Sequence, residues 1–207
     1  MTNVLIVEDS RIARASLEEH MNASGKYRII ASIENAANAE LACIRGDIDL
    51  ILMDVVTADD ESGLMAAAKI KKHYPNIKII IMTSMPEYSF LQRAKDYGCD
   101  GFWYKEYGDT DLLELCDRVM ENKTVFPAET PTLQVGYVNS KEFTERELDV
   151  IKELVLGSKY EEIADNLGIT TNTVKYHIKN ILQKTGYHNT TQLVAEVVGK
   201  RLILPNY

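Results

Sequence analysis

Five residues in this chain have types and positions that could do chemistry together: the adjacent acids Glu8 and Asp9, then Asp54, Thr83 and Lys105. Each closes a short apolar run: Val4-Leu5-Ile6-Val7, Leu50-Ile51-Leu52-Met53, Ile77–Met82 and Gly101–Tyr104. Runs of this length between polar residues read as strands buried on both faces, as in parallel sheets. Open α/β sheets take their ligands at the carboxyl ends of such strands. Taken alone, Asp54 reads more readily as the cap of a loop or helix start than as a site residue. The repetition across four strand ends is what points to a site. Three carboxylates on one edge repel one another and raise each other's pKa unless a cation joins them. Oxygen-only donors suit Mg²⁺, which keeps several of its waters. Lys105 as a point charge and Thr83 as a hydroxyl donor could then hold an anionic group placed on Asp54. The chemistry expected is an Asp nucleophile that accepts a phosphoryl group beside the metal.

Positioning those residues requires a particular fold. Strands are expected at Val4–Val7, Tyr27–Ala31, Leu50–Met53, Ile77–Met82 and Gly101–Tyr104. Helices are expected over about Arg11–Met21, Asn35–Arg45, Gly63–His73, Glu87–Tyr97 and Asp111–Glu121, with Thr57–Ser62 a polar loop. Five strands alternating with five helices make a doubly wound parallel sheet. In the flavodoxin-like order, strands 1, 3, 4 and 5 adjoin, so that all five residues share one edge. From Asn122 to Asn139 the chain loses periodicity and carries Pro127, Pro131 and Gly136, as a linker does. Beyond it, Thr144-Glu145-Arg146-Glu147 and Ser158-Lys159-Tyr160-Glu161 are capping boxes, and Thr170 caps a third helix. Gly157, Gly168 and Gly186 end these helices, and a fourth runs over about Thr190–Gly199. This is an all-α four-helix unit with a helix-turn-helix. The division expected is 1–121, a linker at 122–139, and 140–207.

Charge separates the two parts. The chain carries a formal net charge of −8, yet from Lys141 onward nine basic residues balance nine acids. The first part therefore holds the whole excess, which points to two parts with different partners. Although the chain is acidic, no acid occurs between Ile169 and Gly186. On that third helix Val174, Ile178, Ile181 and Leu182 share one side, and Asn172, Lys175, Tyr176, Lys179 and Gln183 share the other. Lysines and amides on one helical face suit phosphates and base edges in a major groove of double-stranded DNA. Three cysteines without paired spacing read as reduced thiols, and no leader or membrane-spanning run is visible. A cytoplasmic chain with no membrane partner is expected.

Over residues 1–121 the chain resembles the receiver domain of two-component response regulators. The resemblance implies that Asp54 is the phosphoacceptor and that Glu8 and Asp9 are the acidic pair holding Mg²⁺. It also implies that Thr83 and Lys105 contact the phosphoryl group, and that Phe102 is the rotamer-switching aromatic, although Phe102 alone reads as core. Asp54 and the backbone carbonyl of Val56 complete the expected metal ligands. The loop Val55–Gly63 departs from the family: Met-Pro is absent, the glycine falls one position late, and Glu106 follows Lys105 where many members have proline. Residues 141–204 resemble the LuxR-type helix-turn-helix through Thr144, Arg146-Glu147, Val150, Gly157, Ile163-Ala164, Leu167, Thr173-Val174-Lys175, His177, Asn180-Ile181 and Lys184. Thr190 stands where that family commonly has arginine. By this resemblance Lys175, Tyr176 and Lys179 meet bases or nearby phosphates.

Together the two parts resemble a response regulator of the NarL/FixJ type. Such a protein receives phosphoryl from a sensor histidine kinase, forms a homodimer when phosphorylated, and binds paired promoter half-sites. It is a transcription regulator and not an enzyme. Two other readings stay open. One is an aspartyl-phosphate hydrolase, although such enzymes commonly place a second acid where Val56 stands. The other is a constitutive DNA-binding protein whose receiver serves only for dimerisation.

Overall fold

The computed structural model describes residues 1–107 and 111–205, so residues 108–110 of the first expected unit and 206–207 of the second lie outside the described residues. The chain forms two compact units. The first holds Met1–Ser84 and Ser89–Glu129, and the second holds Met85–Tyr88 and the chain from Thr130. Among the described residues, no helix is long and apolar enough to cross a membrane.

In the first unit, β1 (Thr2–Val7), α1 (Arg11–Ala23), β2 (Tyr27–Ile33), α2 (Ala39–Arg45), β3 (Leu50–Asp54), α3 (Gly63–His73), β4 (Lys78–Thr83), α4 (Phe90–Asp96), β5 (Gly101–Tyr104) and α5 (Leu112–Met120) follow in turn. All five strands are parallel, in the order β2-β1-β3-β4-β5. Both faces are covered, which is why Leu50–Met53 and Ile79–Met82 are wholly buried rather than alternating. On one face Val4, Ile6, Leu50, Leu52, Ile80 and Met82 meet Leu17 and Met21 of α1 and Leu112, Leu115, Cys116 and Val119 of α5. The helices α2, α3 and α4 cover the other face. Each such apolar side chain contributes about 1.5–3 kcal/mol by leaving water.

Some stretches depart from expectation by more than a residue or two at an end. The helix expected from Asn35 begins as a 3₁₀ turn, Ala36–Asn38, with Asn35 as its cap, and becomes α-helical only at Ala39. The helix expected from Glu87 begins at Phe90, with Ser89 at its N-cap position. The stretch 122–139 is not irregular throughout. Val125 is buried and pairs with Gly101, and its carbonyl accepts from the Phe102 N–H at 3.0 Å.

The second unit opens with an antiparallel hairpin, β6 (Gln134–Val135) and β7 (Val138–Asn139). Four helices follow: α6 (Glu145–Val155), α7 (Tyr160–Leu167), α8 (Thr171–Thr185) and α9 (Thr190–Gly199). Their core joins Val135, Val150, Ile163, Val174, Ile181 and Leu193. The hairpin closes on the end of α8. The Tyr137 N–H donates to the Thr185 carbonyl at 3.1 Å, satisfying one of the carbonyls a helix end leaves orphaned. A Cβ on Gly136 would lie 2.0 Å from that same oxygen, and one on Gly186 would lie 2.1 Å from the Tyr137 ring. The second expected capping box does not form, and only half of one, shifted by one residue, is present. Lys159 is the N-cap, and its N–H donates to Glu162 at 2.7 Å, while the Ser158 hydroxyl donates to Glu153 at 2.8 Å.

The first box is present as read, and Glu147 does more than cap. Its carboxylate accepts from the Thr144 N–H at 2.8 Å and from Lys184 of α8 at 2.7 and 3.0 Å. Burial disfavours the charged carboxylate, but Lys184 and the Thr144 N–H outweigh it and hold its pKa below the usual 4.5. A pKa depressed by folding contributes stability above the unfolded value, and that stability is lost as pH falls through the folded one. Glu147→Gln is expected to cost about 1–3 kcal/mol at pH 7. The gap from wild type should narrow below about pH 4, as read by urea unfolding at both pH values.

Candidate functional site

The carboxyl edge of the sheet gathers all five residues that the sequence singles out. Glu8 follows β1, Asp54 ends β3, Thr83 ends β4 and Lys105 follows β5. Because β1, β3, β4 and β5 are consecutive in the sheet, residues far apart in sequence become neighbours. The Lys105 ammonium lies 2.5 Å from Glu8 Oε2 and 2.9 Å from Asp54 Oδ2. Glu8 is buried, Asp9 is exposed at the rim, and carboxylate oxygens of Glu8, Asp9 and Asp54 lie within 4.8 Å of one another.

Backbone groups hold the Asp54 and Glu8 carboxylates in place. Asp54 Oδ1 accepts from the Val55 N–H at 2.8 Å, and Glu8 Oε1 accepts from the Ser10 N–H at 3.1 Å. Ser10 also caps α1 through its hydroxyl, so the helix start and the acidic pair share one corner. Thr83 is buried, and its carbonyl accepts from the Lys105 N–H at 2.8 Å, which ties the ends of β4 and β5 together. Burial pushes the Asp54 carboxyl well above the usual carboxylate range against the pull of Lys105, and the Glu8 charge adds to the rise. Burial works against the Lys105 ammonium, yet Asp54 and Glu8 together raise its pKa. Three carboxylates around one ammonium leave the pocket with excess negative charge, and an all-oxygen donor set of that sign fits a hard divalent cation.

Phe102 is almost fully buried, on the sheet face opposite Trp103, with its ring 4.8 Å from that of Tyr104. The Val56 backbone lies at the start of the loop after β3 and bridges to Ser62. This loop is ordered by its neighbours, and Asp59 and Asp60 take left-handed φ values of 61° and 56°. Sequence reasoning missed three residues around it: Arg14, Glu34 and Thr57. Arg14 donates to the Glu8 carbonyl and to Glu34, both at 2.7 Å, and the Thr57 hydroxyl accepts from the Ala36 N–H at 3.0 Å. No spacing rule signals such contacts, because they depend on where separate elements meet.

On α8, Asn172, Lys175, Tyr176, Lys179 and Gln183 are all exposed, with Tyr176 62% accessible. Val174, Ile178 and Ile181 are buried, whereas Leu182 is only partly so. At about 100° per residue Leu182 falls at the edge of the apolar arc, next to Lys175. Lys184 lies off this face, tied to Glu147.

A receiver joined to a helix-turn-helix is the class of protein that this architecture defines. The family model for the response regulator receiver domain matches residues 4–117, and that for bacterial regulatory proteins of the luxR family matches residues 141–197. The response regulator protein VraR of Staphylococcus saprophyticus is 30% identical over 205 residues, covering 97% of this chain and 98% of that protein. VraR of Staphylococcus aureus strain NCTC 8325 is 29% identical over 207 residues, with the same shares covered. Among solved structures, RcsB of Salmonella typhimurium is similar with a TM-score of 0.64 and 20% identity, covering 96% of this chain and all of that one. The chain belongs to the two-component response regulators, in the NarL/FixJ group with a LuxR-type helix-turn-helix.

Gly63 sets how closely α3 approaches the site. Its N–H donates to the Val55 carbonyl at 2.8 Å, and a Cβ there would lie 1.8 Å from the Asp54 carbonyl oxygen. Gly63→Ala is expected to cost about 1–3 kcal/mol by overpacking, measured by urea unfolding, and to displace the backbone that carries Asp54.

Proposed function

We propose that this chain is a DNA-binding transcriptional regulator controlled by phosphorylation at Asp54, with a sensor histidine kinase as the donor. The observation that carries the reading is the Asp54 carboxylate at the carboxyl edge, 2.9 Å from the Lys105 ammonium and beside Glu8 and Asp9. An Asp54 oxygen forms a bond to phosphorus as the P–N bond of the donor phosphohistidine breaks, and the imidazole leaves with the electron pair. Glu8, Asp9, Asp54 and the Val56 carbonyl would hold Mg²⁺, which when bound supplies positive charge to the phosphoryl oxygens. Lys105 and the Thr83 hydroxyl bind the phosphoryl group once it is on Asp54, and Phe102 repacks in response.

Phosphorylation adds about two negative charges to a pocket already rich in them. The rearrangement around them promotes dimerisation and binding to promoter half-sites in this reading. Asn172, Lys175, Tyr176, Lys179 and Gln183 form the DNA-contacting face of α8. The solved relatives support this by likeness: two RcsB dimers bound to two parallel DNAs, and RcsB on promoter DNA with the phosphomimetic BeF₃⁻. Because the second unit is charge-balanced, binding by a single copy is expected to be weak, and two half-sites compensate.

Intact mass after incubation with acetyl phosphate tests the receiver. A single phosphoryl adduct is expected with Mg²⁺, and none without it or in Asp54→Asn. No adduct in folded wild type from either acetyl phosphate or a kinase would leave a constitutive regulator as the better reading. For the output face, Lys179→Ala is expected to weaken DNA binding and to lower the slope of log affinity against log salt by about one, measured by anisotropy over a salt series.

A further inference from the structure

The loop after β3 is longer than a tight turn and holds two non-glycine residues in left-handed conformations, Asp59 and Asp60. Such conformations cost of order 1 kcal/mol or more each and persist only where the surroundings over-determine them. The surroundings here are specific. The Ala58 N–H donates to the Glu34 carbonyl at 3.0 Å, and the Asn35 amide donates to the Ala58 carbonyl and to Asp59 Oδ2, each at 3.0 Å. The buried Thr57 hydroxyl accepts from the Ala36 N–H at 3.0 Å and donates to the Glu61 carbonyl at 2.7 Å. The loop is thereby fastened to the corner that follows β2.

That corner is fastened in turn to the acidic pair. Arg14, itself mostly buried, spans from Glu34 Oε1 to the Glu8 carbonyl with one guanidinium fork, at 2.7 Å on each side. The Glu8 N–H donates to the Ile33 carbonyl at 3.0 Å. A circuit results: Glu8, Arg14, Glu34, the loop 57–61, Val56, back along the chain to Asp54, and across Lys105 to Glu8. Its links through Arg14 and the loop 57–61 tie the backbone of Glu8 to that of Val56, and they do so from outside the pocket.

We infer that Arg14 and Thr57 are positioning residues that fix the separation between the Glu8-Asp9 corner and the Val56 carbonyl, and thereby set the affinity of the pocket for a divalent cation. This rests on the Mg²⁺ reading above. Positioning and plain electrostatics make opposite predictions for Arg14. Removing a cation beside an acidic pocket should tighten Mg²⁺ binding by Coulomb's law, whereas removing the brace should weaken it. Thr57→Val changes no charge and keeps the shape, so it tests the same circuit from its other side.

The experiment is calorimetric titration of the full chain with MgCl₂, with metal-free melting temperatures recorded for each variant. Arg14→Ala and Thr57→Val are each expected to weaken Mg²⁺ about tenfold, the low end for residues that support metal ligands from behind. Arg14→Lys should recover part of the loss, since one ammonium reaches the Glu8 carbonyl or Glu34 but not both. Should Arg14→Ala fail to fold, Thr57→Val and Arg14→Lys decide the matter. Unchanged or tighter binding in the folded variants, with wild type binding normally, would overturn the brace alone. Absence of binding in wild type would overturn the Mg²⁺ reading and the brace with it.

Discussion

The ammonium of Lys105 between Glu8 and Asp54 is the interaction on which the first unit depends. It bridges groups at the carboxyl ends of β1, β3 and β5, so it forms only if β1, β3, β4 and β5 follow one another in the sheet, parallel and in register. Breaking such a partly buried set on one side leaves a charge without a counter-charge, at a cost of about 3–5 kcal/mol. One ammonium does not neutralise three carboxylates, however. The apolar sheet beneath, with Leu50, Ile51, Leu52 and Met53 wholly buried, supplies the stability that holds like charges together. The pocket is thus strained in its charge and secure in its scaffold, a combination suited to a site whose occupancy changes.

Much of this was legible in the sequence, and the reasons are physical. Strands buried on both faces leave uninterrupted apolar runs, so four strand ends and the residues after them could be read directly. The order β2-β1-β3-β4-β5 required one assumption, the flavodoxin-like winding, and that winding is present. What failed to show was tertiary. Glu87 is buried although patterning places acids outside, and α4 starts three residues later than the pattern implies. Ser158 is a good capping residue, but its hydroxyl is engaged by Glu153 and the cap passes to Lys159. Arg14 looks like any arginine on a surface helix until the loop that it helps to hold is in place.

In the second unit the helix-turn-helix was legible because helix punctuation is local. Thr144, Thr170 and Asn189 each accept from a backbone N–H three residues on. The polar stripe of α8 follows from helical geometry alone. The ion pair between Glu147 and Lys184 was not legible: both residues belong to the family resemblance, but 37 positions separate them. That pair fixes α8 against α6 and leaves the stripe free of any acid.

The hairpin of β6 and β7 bears on how such proteins can be recombined. A Cβ on Gly136 would run into the Thr185 backbone, and one on Gly186 into the Tyr137 ring. The end of α8 is therefore completed by a segment that precedes the first helix of the unit by several residues. A chimaera joined at residue 140 would strip that closure from the output helix and leave the Thr185 carbonyl to water. One joined near Thr130 would carry the helix and its lid across together. The heritable module, the piece that evolution or an engineer can graft onto another receiver, begins upstream of the helices by which it would ordinarily be drawn.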